Sequence, residues 1–237
     1  MDGLFPIEFA LQGADTIGVE IREANIQKAI FSKEVLGLRN LEFRRDDVRN
    51  ISVGSYGRFD AIICSGVLYH LTAADAIKLV NTMYEMTTRI VVVDTHVSLD
   101  PIESVRYGNN EYWGSIFHEH AEDATADGKA KSLLASADNV TSFWFTRPSL
   151  INILTKTGFS SVYECFAPAH LNYGKRGIEH RDRCTFVAVK NDACNLKTSP
   201  AANSFREEWP QQSLTYVREK RRPWYKSVLK RINRSNT

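Results

Sequence analysis

Hydrophobic residues recur along the first half of the chain in two alternating patterns. Short runs rich in β-branched residues, which are typical of strands, lie at 15–20, 41–43, 59–64 and 89–94. Apolar residues at helical spacing predict helices over 22–36 and 73–86. The run at 59–64 is apolar on both faces, as expected for a buried parallel strand. The alternation predicts an α/β fold with a mostly parallel sheet and helices on both faces.

The pattern changes between residues 98 and 146. This stretch is polar, rich in aromatic residues and histidines, and too long for a plain connection, so we expect an insertion made of helix and loop. Regular elements return as a helix over 148–157, a turn at Gly158-Phe159, and strands over 161–166 and 184–190. We therefore assign residues 1–192 to one domain and 193–237 to a polar linker and tail.

Composition narrows the class of protein. With 43% hydrophobic and 24% charged residues, the chain has the make-up of a globular domain. The sequence shows neither an apolar run of membrane-spanning length nor a signal-peptide pattern at its start. The cysteines form no Cys-x-x-Cys pair, which is typical of reduced thiols. These features favour a cytoplasmic location.

Charge is distributed unevenly. Residues 218–237 contain eight Lys or Arg and one Glu, whereas the whole chain has a formal net charge of +2, so the remaining body is mildly acidic. Apolar residues of this tail, from Trp224 to Ile232, fall at helical spacing. Such a basic amphipathic helix can dock on its own domain, or contact an anionic membrane surface or RNA. The acidic body argues against a broad nucleic-acid-binding face.

Candidate binding residues follow the predicted strands. Parallel sheets bind ligands beyond the carboxyl ends of their strands, and those positions hold Glu20 with Ile21, Asp47 with Val48, and Ser65 with Gly66. The Glu20 carboxylate can accept from both ribose hydroxyls, Asp47 can accept from an adenine amine, and the Val48 N–H can meet a ring nitrogen. Each signal alone also fits a surface carboxylate, a helix cap or a tight turn. Together they predict a nucleoside site.

The order Gly-Val-Glu-Ile at 18–21, Arg-Asp-Asp-Val at 45–48 and Phe-Asp-Ala-Ile-Ile-Cys-Ser-Gly-Val-Leu-Tyr-His at 59–70 resembles class I S-adenosylmethionine-dependent methyltransferases. The runs at 66–70 and 142–150 are similar to the group that includes tRNA uridine-5-oxyacetic acid carboxymethyltransferase. The resemblance implies a Rossmann-like fold with an antiparallel last strand and S-adenosylmethionine as cofactor. It also implies ribose binding at Glu20 and Ile21, adenine binding at Asp47 and Val48, and the methionine end at Gly3, Ser65, Gly66 and Tyr69.

The chain departs from that family at one place. The family begins with an apolar strand that runs into a glycine-rich loop, whereas this sequence starts at Met1-Asp2-Gly3, where the end of the loop belongs. Residues 4–11 resemble the helix that follows. The first strand belongs in the centre of the sheet, between the strands ending at Glu20 and Cys64. We therefore expect an N-terminally truncated, impaired domain; the alternative is a sheet rearranged without that strand.

Methyl transfer needs a positioned nucleophile, exclusion of water and, where the acceptor must lose a proton, a base. The candidate bases are His70, His118 and His120. The candidate substrate residues are Tyr112, Trp113, Trp144, Arg147 and Arg183. Arg183 is placed to reach a carboxylate on the substrate or on a carboxylated cofactor. The His-x-His pair has no evident carboxylate or cysteine partners, so we expect no metal.

The sequence therefore predicts S-adenosylmethionine-dependent methyl transfer to a small-molecule or sugar-like acceptor. One alternative is a tRNA-modifying (carboxy)methyltransferase, which salt-sensitive tRNA binding would separate from the first function. Another is a catalytically inactive methyltransferase-like binding or scaffold protein. A nicotinamide-dependent oxidoreductase is disfavoured because its dinucleotide fingerprint requires glycines that this sequence lacks.

Overall fold

Strands and helices alternate through the first half of the computed structural model, which describes residues 3–165 and 182–191. In chain order the first elements are α1 (Leu4–Leu11), β1 (Thr16–Glu20), α2 (Glu23–Val35), β2 (Leu41–Arg45), α3 (Val53–Tyr56), β3 (Phe59–Ser65), a 3₁₀ turn (Leu68–His70), α4 (Ala73–Met86) and β4 (Thr87–His96). The later elements are β5 (Glu103–Tyr107), β6 (Asn110–His118), α5 (Ala126–Lys131), β7 (Thr141–Phe145), α6 (Arg147–Thr157), β8 (Ser161–Glu164) and β9 (Arg183–Val189). The tail predicted at 193–237 lies outside the described residues.

The helix predicted over 73–86 has the predicted bounds, and its ends have local causes. The Thr72 side chain accepts a hydrogen bond from the Asp75 N–H, which satisfies one of the free donors at the helix start. Buried residues then recur at helical spacing along one stripe, which packs on the sheet: Ala76, Ile77, Val80 and Met83. In α6 the side chain of Thr146 caps the helix in the same way, and a proline occupies its first turn.

The principal sheet has the order β3-β4-β9-β8. β3 and β4 pair in parallel, and β9 runs antiparallel to both β4 and β8. β1 and β2 form a separate parallel pair. The predicted α/β class and the antiparallel last strand are therefore confirmed. The main core lies between this sheet and helices α4 and α6, where Val91, Phe186 and Ala188 have no exposed surface.

The parallel strands are divided between two sheets. Within the described residues β1 pairs only with β2 and β3 only with β4, so each keeps one edge without a strand partner. Although β3 has the apolar composition of a central strand, Ala61 is exposed and Ile62 is only partly buried. Helix α1 buries Ile7 and Ala10 but leaves its other apolar side chains in solvent: Leu4, Phe5, Phe9 and Leu11. The missing strand that the sequence predicts between β1 and β3 stays a prediction.

The segment between β4 and α6 corrects the prediction of a helix-and-loop insertion. It is a three-stranded antiparallel sheet, β5-β6-β7, with the short α5 in the connection. We refer to it as the insertion sheet. Phe143 and Phe145 point into the main core and Trp144 lies between them, which is the two-residue period of a strand. A long polar connection separates β6 from β7, so the two-residue alternation is not evident when residues 98–146 are taken as one segment.

At Gly114 the backbone of β7 packs close against β6. A Cβ built on Gly114 would lie 2.2 Å from the Trp144 carbonyl oxygen and 2.5 Å from the Phe143 ring. We expect Gly114→Ala to lower the free energy of unfolding by about 1–3 kcal/mol, because a backbone atom must move. Gly54→Ala is the matched control, since its Cβ would meet nothing closer than 3.8 Å. Urea denaturation of both variants checks this, and equal stability would contradict the close approach.

Candidate functional site

The carboxyl ends of β3 and β4 meet around the side chain of Asp94. Parallel pairing places Ser65 opposite Asp94, and the Gly66 N–H donates to the Asp94 carbonyl at 2.9 Å. The Asp94 carboxylate accepts from Ser65 Oγ at 3.3 Å and from Thr185 Oγ1 at 2.9 Å, and it pairs with the Arg183 guanidinium. Burial acts to lower the pKa of Arg183, but its contacts with Asp94 outweigh this effect and raise the pKa. Gly66 has a φ of 71°, a conformation that favours glycine at this turn.

Four rings form an aromatic cluster beside Asp94: Tyr69, His96, Phe117 and Trp144. The Trp144 ring stacks on Phe117 at 4.3 Å and on His96 at 4.9 Å between centroids. Tyr69 meets the edge of His96 at 4.7 Å. The main sheet, the 3₁₀ turn and the insertion sheet each contribute to this cluster, so the insertion sheet supplies one wall of the site.

His96 and its neighbour Asp182 were not among the residues predicted from the sequence. His96 Nδ1 lies 3.3 Å from Asp182 Oδ2, and His96 Nε2 lies 3.4 Å from a terminal nitrogen of Arg183. A signal for His96 was present, because it follows the predicted strand end at Asp94 by two residues. The strand-end rule, applied to β4 as it was to the earlier strands, would have found it. The sequence carried no signal for its pairing with Asp182.

His70 is held by a carboxylate from the insertion sheet. Its Nδ1 lies 2.9 Å from Glu119 Oε1, and the Glu119 side chain is only 1% exposed. Glu119 also accepts from Ser142 Oγ at 2.7 Å and from the Ser136 N–H at 2.8 Å. Burial acts to raise the pKa of Glu119, but the hydrogen bonds from His70, Ser142 and Ser136 outweigh it and lower the pKa. The geometry therefore shows His70 joining the turn after β3 to the insertion sheet.

Acidic residues follow β1 and β2, as predicted. Glu20 Oε1 accepts from the Arg22 N–H at 2.9 Å, and Oε2 accepts from Asn25 at 3.2 Å, so the carboxylate is oriented. Asp47 accepts from Arg49 through both oxygens. Burial acts to raise the pKa of Asp47, but the Arg49 hydrogen bonds and charge outweigh it and lower the pKa. Asp47 is therefore held as a carboxylate at neutral pH.

Two arginines join these strand ends to the connection between β6 and β7. Arg22 donates to the carbonyl oxygens of Ala135 at 2.7 Å and of Ser136 at 3.1 Å. Arg49 bridges Asp47 and Asp138. The connection is thereby held against the carboxyl ends of β1 and β2. His120, a predicted base, donates from Nε2 to the Ser136 carbonyl at 2.7 Å and belongs to the same connection.

The sequence also predicts that Ile21, Val48 and Gly3 contact the cofactor. Ile21 is 36% exposed just after β1, and Val48 packs against the main core. Gly3 caps α1 with a φ of 77°, and a Cβ there would lie 2.7 Å from the Phe43 ring. The space that a side chain would need at Gly3 is therefore filled by β2. Its predicted contact with the cofactor stays a prediction.

The structure separates the predicted substrate residues. Trp144 and Arg183 lie beside Asp94, whereas Tyr112 is 3% exposed inside the main core. Arg147 pairs with Glu164 at 3.2 Å, at the junction of α6 and β8. Trp113 is bound through its backbone, where its N–H donates to Ser149 Oγ at 2.7 Å. Of the predicted bases, His118 has an exposed side chain at the end of β6.

The described residues also bear on metals and membranes. In residues 3–165 and 182–191, no three His, Cys, Asp or Glu side chains come together in a way that would hold a metal ion. Across the same residues, no helix has the length and apolar character needed to cross a bilayer.

The chain belongs to the methyltransferase-domain family, whose family model matches residues 3–138. Its fold is similar to that of the N-terminal domain of EvdMO1, solved with S-adenosylhomocysteine (SAH) bound. That match has a TM-score of 0.61 and 24% identity, and it covers 80% of this chain and 70% of that one. It is also similar to 1,6-didemethyltoxoflavin-N1-methyltransferase from Burkholderia thailandensis. There the TM-score is 0.52 and the identity 15%, over 78% of this chain and 65% of that one.

A curated relative matches a shorter region. The uncharacterized protein RP789 of Rickettsia prowazekii (strain Madrid E) is 35% identical over 65 residues, which is 27% of this chain and 12% of that protein. This chain thus spans only a small part of that relative's length.

Glu119→Gln tests the bond between the insertion sheet and the turn after β3. We expect the substitution to lower the free energy of unfolding at pH 7 by about 1–3 kcal/mol, because a buried charged acceptor is lost. The folded pKa of Glu119 lies below its usual 4.5. The stabilisation by the Glu119 carboxylate is therefore present above pH 4.5, and it is lost as the pH falls through the pKa of Glu119 in the folded protein.

The difference between wild type and Glu119→Gln should therefore shrink on acidification. Denaturant unfolding of both proteins at about pH 7 and about pH 4 measures this change. The exposed Glu122, substituted in the same way, is the matched control and should leave stability within about 0.5 kcal/mol at both pH values. A difference that stays constant between the two pH values would contradict the stabilisation of the Glu119 carboxylate by its hydrogen bonds.

Proposed function

We propose that this protein is an S-adenosylmethionine-dependent methyltransferase that acts on a small-molecule acceptor. One observation carries the proposal: the oriented carboxylates of Glu20 and Asp47 and the open Ser65-Gly66 turn follow successive parallel strands. Parallel sheets bind nucleotide-like ligands at that edge. The family match and the SAH-bound fold relative agree with this ligand.

The side chains at this edge suit the adenosine half of the cofactor. Glu20 would accept from the ribose hydroxyls, since its oxygens are already aimed by Arg22 and Asn25. Asp47 would accept from the adenine amine, with the Val48 N–H at the ring and Ile21 against its face. Ser65, Gly66 and Tyr69 would lie towards the sulfonium. When bound, the cofactor supplies an electrophilic methyl group.

The protein's own contribution is positioning and exclusion of water. The Glu119–His70 pair fixes the turn after β3 relative to the insertion sheet, where the edge of one ring of the Tyr69–Trp144 pair meets the other at 5.9 Å between centroids. Arg22 and Arg49 hold the connection at 129–138 against the adenosine edge. Together these contacts close the site from two sides.

The acceptor is proposed to be a small molecule that receives a plain methyl group. The fold relative from Burkholderia thailandensis was solved with 1,6-didemethyltoxoflavin and SAH bound. Carboxymethyl transfer, the alternative suggested by the tRNA-modifying group, would use Arg183 to bind a carboxylate. Because the Arg183 guanidinium already pairs with Asp94, its charge is compensated within the protein. This pairing favours methyl over carboxymethyl transfer.

We further infer that one additional parallel strand completes the fold between β1 and β3. The unpaired edges of these two strands and the four exposed apolar side chains of α1 support this inference. Such a strand would lead into Gly3 and the start of α1, where the backbone N–H groups of a helix start face a ligand. The chain without it would bind the methionine end of the cofactor weakly, which is the impairment expected from the sequence.

Glu20→Gln tests the cofactor site. We expect the Kd for SAH, measured by calorimetry, to rise by roughly ten- to a hundredfold, because a charged acceptor of the ribose hydroxyls is lost. Glu8→Gln, an exposed substitution on α1, should leave the Kd unchanged. Equal affinities of the Glu20→Gln and Glu8→Gln variants would contradict the assigned ribose site.

The strand inference is tested by comparing this chain with one that carries the in-frame codons immediately upstream. We expect the longer chain to bind SAH at least roughly tenfold more tightly and to unfold at higher denaturant concentration, since it buries the open edges. The same affinity and stability in both chains would show that β1 and β3 need no further strand.

A further inference from the structure

We propose that Arg49 is a positioning residue of the cofactor site, which exchanges Asp47 for Asp138 when the nucleoside binds. Asp138 belongs to the segment that connects β6 to β7, residues 119–140, which we call the lid. The inference rests on the proposed function, and it adds a residue that links occupation of the nucleoside site to the position of the lid.

Polar contacts fasten the lid to the ends of all three strands that are assigned to the cofactor. In the order of the strands, these contacts are Arg22 with the carbonyl oxygens of residues 129, 135 and 136, Arg49 with Asp138, and the Asn139 side chain with the His70 carbonyl oxygen. Their distances to backbone oxygens range from 2.7 to 3.3 Å. The lid therefore lies beside the proposed adenosine site.

The lid contributes little to the apolar core. Of its described residues, Ser136 alone is buried, while Leu133 and Leu134 are 46% and 93% exposed. Segments that bury few apolar side chains open at a low free energy. Individual polar contacts, such as the one between Arg49 and Asp138, therefore have a large share in holding the lid in place.

Arg49 lies on the carboxylate that is assigned to the adenine amine. Its Nε is 3.0 and 2.9 Å from the two Asp47 oxygens, and its backbone N–H donates to one of them at 2.9 Å. The Asp47 side chain is only 18% exposed. An adenine amine therefore reaches Asp47 only if the Arg49 guanidinium gives up part of this contact.

A second carboxylate makes that exchange possible. One terminal nitrogen of Arg49 contacts Asp47 and Asp138 at the same time. When the guanidinium leaves Asp47, it keeps Asp138 as a partner, so its charge is not left unpaired beside the ligand. A guanidinium that serves one carboxylate can form two parallel hydrogen bonds with it, which is a stronger pairing. Binding of the nucleoside should therefore tighten the contact between Arg49 and the lid.

The first test needs no ligand. We expect hydrogen exchange at the hydrogen-bonded amides of Ala135 and Ser136 to be roughly two- to fivefold faster in Asp138→Asn than in wild type, because an exposed ion pair is lost. Asp127→Asn is the matched control, since Asp127 is an exposed lid carboxylate that pairs with Lys131, and it should leave these rates unchanged. Equal exchange in wild type and Asp138→Asn overturns the proposal.

The second test adds adenosine or SAH. In wild type we expect either ligand to slow exchange at the same two amides, because the nucleoside alone provides the amine. Asp138→Asn should lose most of this slowing and raise both Kd values by roughly three- to fivefold. Asp138→Glu, which keeps the carboxylate, should restore both effects, and Asp127→Asn should behave as wild type. A purely structural contact would leave the slowing by ligand the same in wild type and Asp138→Asn.

The outcomes separate this inference from the proposed function. If the ligands bind but do not slow exchange in the lid, or slow it equally in wild type and Asp138→Asn, the role of Arg49 is overturned while the methyltransferase assignment stands. If neither ligand binds, in this chain and in the longer one, the proposed function is overturned and the coupling to the lid with it.

Discussion

The Asp94 carboxylate accepts hydrogen bonds from three side chains, and the arrangement of the site depends on it. Ser65 approaches from β3, and Thr185 and Arg183 approach from β9. A parallel pair places Asp94 beside Ser65, and the antiparallel β9 brings a basic residue to the same edge. Because Arg183 also reaches His96 Nε2, this carboxylate indirectly sets the position of the aromatic cluster. The charge of Asp94 is compensated by Arg183.

A second set of polar contacts makes the insertion sheet part of the site. Buried Glu119 joins the turn after β3, while Arg22 and Arg49 join the ends of β1 and β2. Removing one partner of a buried charged group costs more than the net worth of the contact, because the other partner is left unsatisfied. The insertion sheet is therefore coupled to each of the three strand ends assigned to the cofactor.

Periodicity in the sequence was sufficient for the α/β framework. The helix at 73–86 and the strand runs came from hydrophobic spacing, and the carboxylates at Glu20 and Asp47 came from the strand-end rule. The insertion sheet was not predicted, because strands that pair across a long polar connection have weak local signals. The placement of Tyr112 in the core and of Arg147 against Glu164 depends on tertiary contacts. The contact between His96 and Asp182 also depends on tertiary structure, because the two residues are 86 positions apart, so the sequence could not predict it.

The proposed adenosine site uses the carboxyl ends of β1, β2 and β3, which lie in two separate sheets. Amide chemical-shift mapping with SAH tests that central claim most directly. We expect the largest changes at the backbone amides of Ile21, Val48 and Gly66, at the carboxyl ends of β1, β2 and β3. Changes confined to other surfaces, or none at saturating ligand in this chain and in the longer one, would contradict it.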